Sequence, residues 1–215
     1  MLQICQIIIA LSLLVLSCPA FAQHEGPYLG AYIGGNLLTP AKSSDDLGSF
    51  NLKFAPALQE GAVFGWDFAN VNTIGEGRVE LEYSHRSNRL DQVEFSEGSF
   101  KGGGNLQVDS LLISSFGGFH SENFWTPYLG AGVGAARMSA SKLTVTDQPL
   151  ASESAIVLAY QLGCGVEFEL SKHFRIDLGY RFFGTTRPAF KESNGHTFKM
   201  GYFSHSVVLG LLYGF

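Results

Sequence analysis

The chain has 215 residues, of which 15% are charged and 26 are glycine. An average soluble domain carries about 25% charged residues and about 7% glycine, so this composition is unusual on both counts. Its 18 Phe, 8 Tyr and 2 Trp exclude a disordered chain, which needs low hydrophobicity and a high net charge. Its 14 Lys and Arg against 19 Asp and Glu exclude a nucleic-acid binder, which needs a clustered basic excess.

The start of the chain has the pattern of an export signal. An apolar stretch over residues 7–16 is followed by a proline and by the small-residue triplet Ala-Phe-Ala at 20–22. The apolar stretch is too short for a membrane-spanning helix, which takes about 20 residues. We predict a signal peptide over residues 1–22 and one mature domain over residues 23–215. A lipoprotein signal with Cys18 as the modified residue is the alternative.

The mature chain alternates apolar and polar residues with period two, which is typical of strands whose two faces meet different solvents. In the clearest segment, Val79, Leu81 and Tyr83 alternate with charged residues. Residues 111–113 are consecutive apolar residues and leave the register of the fourth strand open. The alternation predicts eight strands, over residues 27–37, 58–68, 77–86, 105–119, 127–138, 154–169, 174–183 and 203–215.

The connections between the predicted strands alternate between long and short. All long connections then lie at one end of an antiparallel meander. Lipid cannot satisfy an open sheet edge, so strands that span a membrane must close into a barrel. We predict an all-β fold, an eight-stranded antiparallel up-and-down transmembrane barrel, with a soluble barrel or sandwich as the alternative. The long connections are polar and cover residues 39–56, 87–104, 139–153 and 184–199.

Placing the apolar face in hydrocarbon turns the charged face toward the barrel interior. Isolated charges are costly to bury, so we expect these groups to pair in one lumenal charge network that plugs the barrel. The inward-facing glycines leave room for tyrosine and arginine side chains. The predicted network consists of Asp67, Arg78, Glu80, Glu82, Glu167, Glu169, Arg175, Asp177 and Arg181.

Four segments of the mature chain combine glycine, aromatic and charged residues in a characteristic order. They read Val-Glu-Leu-Glu-Tyr at 79–83, Pro-Tyr-Leu-Gly-Ala-Gly-Val-Gly at 127–134, Ala-Tyr-Gln-Leu-Gly-Cys-Gly at 159–165 and Asp-Leu-Gly-Tyr-Arg-Phe at 177–182. Together they resemble the eight-stranded outer-membrane β-barrel domain of the OmpA-like and opacity-protein class of Gram-negative bacteria. The resemblance implies an outer-membrane location after signal removal, among outer-membrane lipid and lipopolysaccharide.

The last strand ends in an aromatic residue that is preceded by apolar residues at alternate positions. This pattern resembles the assembly signal of the family, and the resemblance implies recognition by the barrel-assembly machinery. The residues of this predicted signal are Val207, Leu209, Leu211, Tyr213 and Phe215.

One segment, His85-Arg86-Ser87-Asn88, invites a catalytic interpretation. It resembles the His-x-Ser-Asn element of outer-membrane lipid A deacylases, in which His would act as base and Ser as nucleophile, oriented by a carboxylate. In that family the element lies late in the chain, whereas here most of the predicted strands follow it. The alternative is an ordinary strand end that enters a connection, with Asn88 in a turn.

Other catalytic and cofactor signals are missing from the sequence. The six histidines are scattered without the paired spacing of metal sites, so we expect neither a metal nor a cofactor. The glycine run at 130–134 lacks the third glycine and the following helix of a dinucleotide-binding fingerprint.

These observations favour a non-enzymatic surface barrel with an envelope-structural or adhesin-like role. Function in small barrels resides in the connections, so we expect a host or cell-surface ligand to bind there. Two alternatives remain, a narrow small-solute channel past Arg78, Glu80 and Arg181, and a lipid A deacylase that uses His85 and Ser87. Aromatic residues within the connections are candidate contact points: Phe50, Phe54, Phe95, Phe100 and Phe190.

Overall fold

The computed structural model of the protein describes residues 25–44, 49–72, 75–95, 98–119, 124–146, 148–151, 154–191 and 197–215. The predicted signal peptide lies outside these residues. No described residue belongs to a helix that is long and apolar enough to cross a membrane. The described strands are β1 (Gly26–Leu38), β2 (Ala41–Ser44), β3 (Ser49–Phe54), β4 (Ala57–Asn72), β5 (Gly75–Phe95), β6 (Gly98–Gly118), β7 (Trp125–Val145), β8 (Gln148–Ala151), β9 (Ser154–Glu169), β10 (Phe174–Thr185), β11 (Ala189–Lys191), β12 (Thr197–Lys199) and β13 (Phe203–Gly214).

Eight of these strands close into a ring. Their order is β5-β4-β1-β13-β10-β9-β7-β6, every described pairing is antiparallel, and β5 pairs with β6 to complete the circle. Following the register once around the ring from Tyr28 returns to β1 at Leu38, ten residues farther along. Such a stagger is what closure requires, with strands tilted by about 35–45°. The predicted eight-stranded barrel is confirmed.

The outward face of the ring carries the apolar residues that the alternation assigned to it. Leu29, Ile33, Leu81 and Leu209, for example, are all exposed on the outside of the wall. The structure also determines which side chains of the fourth predicted strand, β6, face outward, which the sequence left undecided. Leu111 and Ile113 point outward, whereas Leu112 is fully buried inside. The wall therefore offers an apolar belt to hydrocarbon on every side.

Paired strands occupy much of the stretches that the sequence predicted as long polar connections. β5 continues to Phe95 and β6 begins at Gly98, so most of residues 87–104 is a regular hairpin. Inward positions of this hairpin stay apolar, as at Leu90 and Leu106, and the ladder satisfies the backbone polar groups. The outer parts of β5, β6 and β7, together with β2, β3, β8, β11 and β12, form what we call the outer extension.

The opposite end of the barrel is the turn end. There β4 passes to β5, β6 to β7 and β9 to β10 within a few residues, as the sequence predicted. The described chain begins and ends at this end, where Phe215 N–H donates to the Pro27 carbonyl at 3.2 Å. Links of this length are typical of one side of an up-and-down barrel.

Candidate functional site

The half of the interior nearer the turn end contains a network of ion pairs. Arg175 Nη2 lies 2.6 Å from Asp67 Oδ2, and its Nη1 lies 3.0 Å from Glu167 Oε2. Arg78 contacts the other carboxylate oxygen of Glu167. The Nε atom of Arg78 lies 2.9 Å from Glu80 Oε1. All five side chains are buried. Each guanidinium thus pairs with two carboxylates, one of them shared, in a place where an isolated charge would be costly.

Two tyrosines extend this network, each over one intervening strand. Tyr28 donates to Glu80 Oε1 at 2.6 Å, and Tyr128 donates to Asp177 Oδ1 at the same distance. Arg181 in turn donates to the Tyr128 hydroxyl at 2.9 Å. Hydrogen bonds to charged groups are the stronger kind, so these contacts hold each aromatic ring over the glycine of the neighbouring strand, Gly65 for Tyr28 and Gly165 for Tyr128.

Eight of the nine residues of the predicted charge network are buried inside the barrel. One of these eight, Glu82, accepts hydrogen bonds from Tyr32 at 2.7 Å and from Gln161 at 2.9 Å. The ninth, Glu169, is half-buried at the end of β9. Their shared role as a structural plug remains a proposal.

Arg86 is a buried cation that the sequence interpretation did not include in the network. Its guanidinium lies 4.0 Å from the centre of the Phe183 ring, and Nη1 donates to Ser84 at 2.7 Å and to Ser110 at 3.2 Å. The sequence contained the information that Arg86 points inward, because residues 78, 80, 82, 84 and 86 share one face of β5. The predicted strand ended at this residue, and its inward direction was therefore overlooked.

The half of the interior nearer the outer extension contains an apolar cluster beside buried polar residues such as Asn36 and Asn88, which are joined by a hydrogen bond of 2.9 Å. Within the cluster, Phe183 and Tyr202 are in edge-to-face contact at 5.8 Å between ring centres. The sequence did not reveal this cluster because much of it comes from segments predicted as connections. Its largest members are Leu52, Leu90, Leu106, Leu112, Met138, Leu143, Phe183, Met200 and Tyr202.

The outer surface carries one row of polar residues across four adjacent strands. Glu60, His85, Asp109 and Arg137 are successive register partners on β4, β5, β6 and β7. Directly opposite residues on one face of a sheet have Cβ atoms about 4.5–5.5 Å apart, close enough to interact. His85 Nδ1 lies 2.8 Å from Asp109 Oδ1, and Tyr83 donates to the same oxygen at 3.0 Å.

A cleft of about 480 Å³ opens beside this row. His85 and Ser87 both line it, so the structure brings the two candidate catalytic residues to one surface. Among the described residues, the hydrogen-bond partner of the His85 ring is Asp109. The sequence interpretation missed Asp109 because the register of the fourth strand was open, and with it the direction of this carboxylate.

The remaining predicted site residues are placed as follows. Val207, Leu209, Leu211, Tyr213 and Phe215 all point outward, and the rings of Tyr213 and Phe215 meet edge-to-face at 5.3 Å. Of the candidate aromatic contact points, Phe54 packs against the apolar cluster, whereas Phe95 and Phe100 form an exposed edge-to-face pair at 5.7 Å. Within the described residues, no group of three or more His, Cys, Asp or Glu side chains is arranged to hold a metal ion.

The barrel and its polar interior define an outer-membrane β-barrel. The family model described as the outer membrane protein beta-barrel domain matches residues 8–215, and the chain belongs to this family. The family resemblance and the location in the outer membrane of a Gram-negative bacterium are thereby confirmed. The turn end accordingly corresponds to the periplasmic side of such barrels.

Solved structures of low sequence identity share the fold. Neisserial surface protein A matches with a TM-score of 0.56 at 18% identity, covering 90% of this chain and 100% of its own. The outer membrane protein AlkL, solved in lipid bilayers, matches with a TM-score of 0.51 at 12% identity, covering 92% and 94%. No curated protein matches this sequence.

Proposed function

We propose that this protein is a non-enzymatic surface barrel with an envelope-structural or adhesin-like role, and that its interior conducts no solute. The proposal rests on one observation, that two sets of side chains fill the two halves of the barrel interior. Ion pairs of Arg78 and Arg175 occupy the periplasmic half, and the other half contains the apolar cluster around Leu112 and Phe183 together with buried polar residues that bond to one another, as Asn36 does to Asn88. Eight strands also form the ring size at which side chains alone fill the interior.

The apolar cluster argues against the narrow channel. A solute path past Arg78, Glu80 and Arg181 would have to continue toward the outer extension. There it meets buried Leu106 and Met138, which cannot replace the water of a polar solute.

Liposome swelling tests the closed interior. Liposomes containing the purified, refolded barrel are placed in an isosmotic solution of a small sugar, beside liposomes containing an open porin and liposomes without protein. We expect swelling no faster than in protein-free liposomes. Swelling at a rate that rises with the amount of barrel would contradict the proposal.

The surface role is proposed for the outer extension. Phe95 and Phe100 are 39% and 40% exposed close to the end of the hairpin of β5 and β6, and exposed aromatic residues are common anchors of protein interfaces. Cells that display the barrel are compared with cells that display F95S/F100S in binding to host-cell monolayers or matrix proteins. We expect binding to fall in the double variant. Equal binding at equal surface display would show that the aromatic pair does not contribute to binding.

A second candidate is hydrolysis of an acyl ester, as in lipid A deacylation, and one observation favours it. Asp109 holds the His85 ring by its Nδ1, which leaves Nε2 as the base for Ser87 on the same face of β5. Ser87 Oγ would attack the ester carbonyl while His85 accepts its proton and then returns it to the leaving alcohol. Water would next release the acid by the reverse proton transfers, so that one ester and one water become one acid and one alcohol.

The second candidate is tested on lipid A isolated from cells that produce the wild type, S87A, or S115A. Ser115 also faces outward, on β6, and serves as the matched control. Hydrolysis predicts loss of one acyl chain in the wild type and in S115A but not in S87A. An identical acylation pattern in all strains, including one without the protein, would exclude lipid A as a substrate.

A further inference from the structure

The outward face of β7 changes from apolar to basic where the strand leaves the hydrocarbon belt. Val133 is 62% exposed within the belt, and Ala135 and Arg137 follow it outward on the same face. Arg137 is exposed, as is Lys142 farther along the strand. Cations at this level lie beside the polar headgroups that border the hydrocarbon core of a membrane.

A β-bulge places Lys142 on this outward surface. Ala140 and Leu143 are both buried inside the barrel, so the two residues between them lie outward. Lys142 adopts a left-handed backbone conformation, with a φ of 49°, which residues other than glycine rarely do. The opposite strand approaches closely because it has Gly104 here, where a Cβ would overlap the Lys142 carbonyl oxygen. Bulges of this kind re-aim a side chain, and here the side chain is a cation.

Arg89 on β5 completes what we call the basic face, which consists of Arg89, Arg137 and Lys142. Asn105 on β6 is the register partner of both Arg89 and Ser141, so these two residues are two strand spacings apart, roughly 10 Å. Arg137 lies four residues before Ser141 on β7, roughly 13 Å along the strand. The three cations therefore border one patch of about the size of a disaccharide.

Neutral hydrogen-bonding side chains occupy the patch between the cations. Amides and hydroxyls both donate and accept hydrogen bonds, as sugar hydroxyls do. These side chains are Asn105, Gln107, Ser139 and Ser141. The carboxylate at the inner border of the patch, Asp109, is held by His85 at 2.8 Å and by the Tyr83 hydroxyl at 3.0 Å. The patch thus combines separated cations with a neutral polar floor.

We propose that the basic face binds the phosphorylated sugar headgroup of lipopolysaccharide in the surrounding leaflet. Arg89 and Arg137 suit phosphate groups, which a guanidinium can bind through paired N–H donors, and Lys142 adds a point charge. The neutral side chains between them would contact the sugars. The acyl chains would run along the belt over Val133 and its exposed register partner Ile113.

The other side of the barrel has a different outward surface at its outer end. In the described outer halves of β9, β10 and β13, no lysine, arginine, aspartate or glutamate points outward. Aromatic residues such as Tyr160, Tyr180 and Phe182 are found there instead. Binding of the anionic headgroup is therefore assigned to the side formed by β5, β6 and β7.

Binding of lipopolysaccharide does not depend on the functions proposed above. The cations of the basic face are separate from His85 and Ser87, the pair on which hydrolysis would depend. A bound lipid keeps its mass, whereas hydrolysis removes an acyl chain. The mass of the bound lipid therefore separates the two questions.

The test is native mass spectrometry of the whole folded barrel in detergent with one added probe at a time. The probes are lipid A with two phosphates, lipid A without phosphates, phosphatidylglycerol, and a sulfated oligosaccharide without acyl chains. The variants are R89Q, R137Q, K142Q and the triple variant, each checked first for folding by its band shift on heating. K172Q is the matched control, because Lys172 is an exposed cation at the turn end.

We expect lipid A with two phosphates to give the highest occupancy in the wild type and in K172Q. Each single variant should lower that occupancy by about two- to fivefold, the effect of one exposed charge pair. The triple variant should bind it no better than lipid A without phosphates. Wild-type occupancy in the triple variant, an equal loss in K172Q, equal binding of lipid A without phosphates, or preferred binding of phosphatidylglycerol or the sulfated oligosaccharide would overturn the proposal.

Discussion

Tyr28 on β1 and Glu80 on β5 are 52 residues apart in the chain and are joined over the intervening strand β4 by a hydrogen bond of 2.6 Å. The Tyr28 ring fits there because its register partner on β4 is Gly65. The Arg175 guanidinium lies 4.9 Å from the centre of the same ring and binds Asp67 and Glu167. One tyrosine of β1 therefore contacts side chains of β5 and β10, and this end of the interior is packed as one unit.

Replacing Tyr28 by Phe should destabilise the barrel while leaving its shape unchanged. The change removes the donor to Glu80 and keeps the ring, so we expect a loss of about 1–3 kcal/mol in the free energy of unfolding. Urea titration in detergent micelles, followed by tryptophan fluorescence, measures the difference. Tyr213→Phe on the outer surface is the control and should stay within about 0.5 kcal/mol of the wild type. A Tyr28→Phe barrel as stable as this control would show that the hydrogen bond contributes nothing.

Gly65 is predicted to be intolerant of even one added carbon. A Cβ at this position would lie 2.2 Å from Tyr28 Cζ, so the ring and its contacts would have to move. We expect Gly65→Ala to cost about 1–3 kcal/mol by overpacking. Gly35 is the matched control on β1, since a Cβ there has no heavy atom within 4 Å. Gly35→Ala should be neutral or slightly stabilising, and similar losses in both variants would mean that backbone effects, not the ring, explain the result.

Arg175→Met should be among the most damaging single substitutions. It leaves Asp67 and Glu167 buried with their shared cation removed, and loss of one partner of a buried pair typically costs about 3–5 kcal/mol. The shift of the band between heated and unheated samples on a gel reports the folded fraction. Arg89→Met removes an exposed arginine and should fold like the wild type. A normal folded fraction for Arg175→Met across the urea range would mean that the pairing carries little stability.

The terminal aromatic residue is predicted to matter for assembly more than for stability. Phe215 is exposed at the turn end and contacts Tyr213, so its truncation removes little packing. If it is read by the assembly machinery, Phe215→Ala should reduce the folded barrel in outer-membrane fractions while the purified protein refolds normally. Phe119→Ala, another exposed aromatic at this end, is the control. Equal amounts of both variants in the membrane would show that Phe215 is not part of the assembly signal.

The barrel itself could be predicted because its two faces meet different surroundings. Alternation along residues such as Val79, Glu80, Leu81 and Glu82 assigns outward and inward directions without knowledge of the neighbouring strands. The same rule fails where both faces are apolar. Leu111, Leu112 and Ile113 could be oriented only by pairing with β5 and β7, and the direction of Asp109 followed from that pairing.

The outer extension could not be predicted, since its strands continue beyond the membrane into water. There the outward residues become polar, as at Ser87 and Arg89, while inward residues such as Leu90 stay apolar. The local composition then looks like that of a connection. Pairing partners far apart in the chain, such as β3 with β5, decide that these residues are strands.

The closed interior is tested most directly by conductance across a planar lipid bilayer that contains the purified barrel. The ion pairs of Arg78 and Arg175 and the cluster around Leu112 predict a current no greater than that of the bare bilayer at moderate voltage. Insertion is checked independently by protease protection of the same samples. Discrete, reproducible current steps that appear only with inserted barrel would contradict a closed interior, because they require a continuous aqueous path through the barrel.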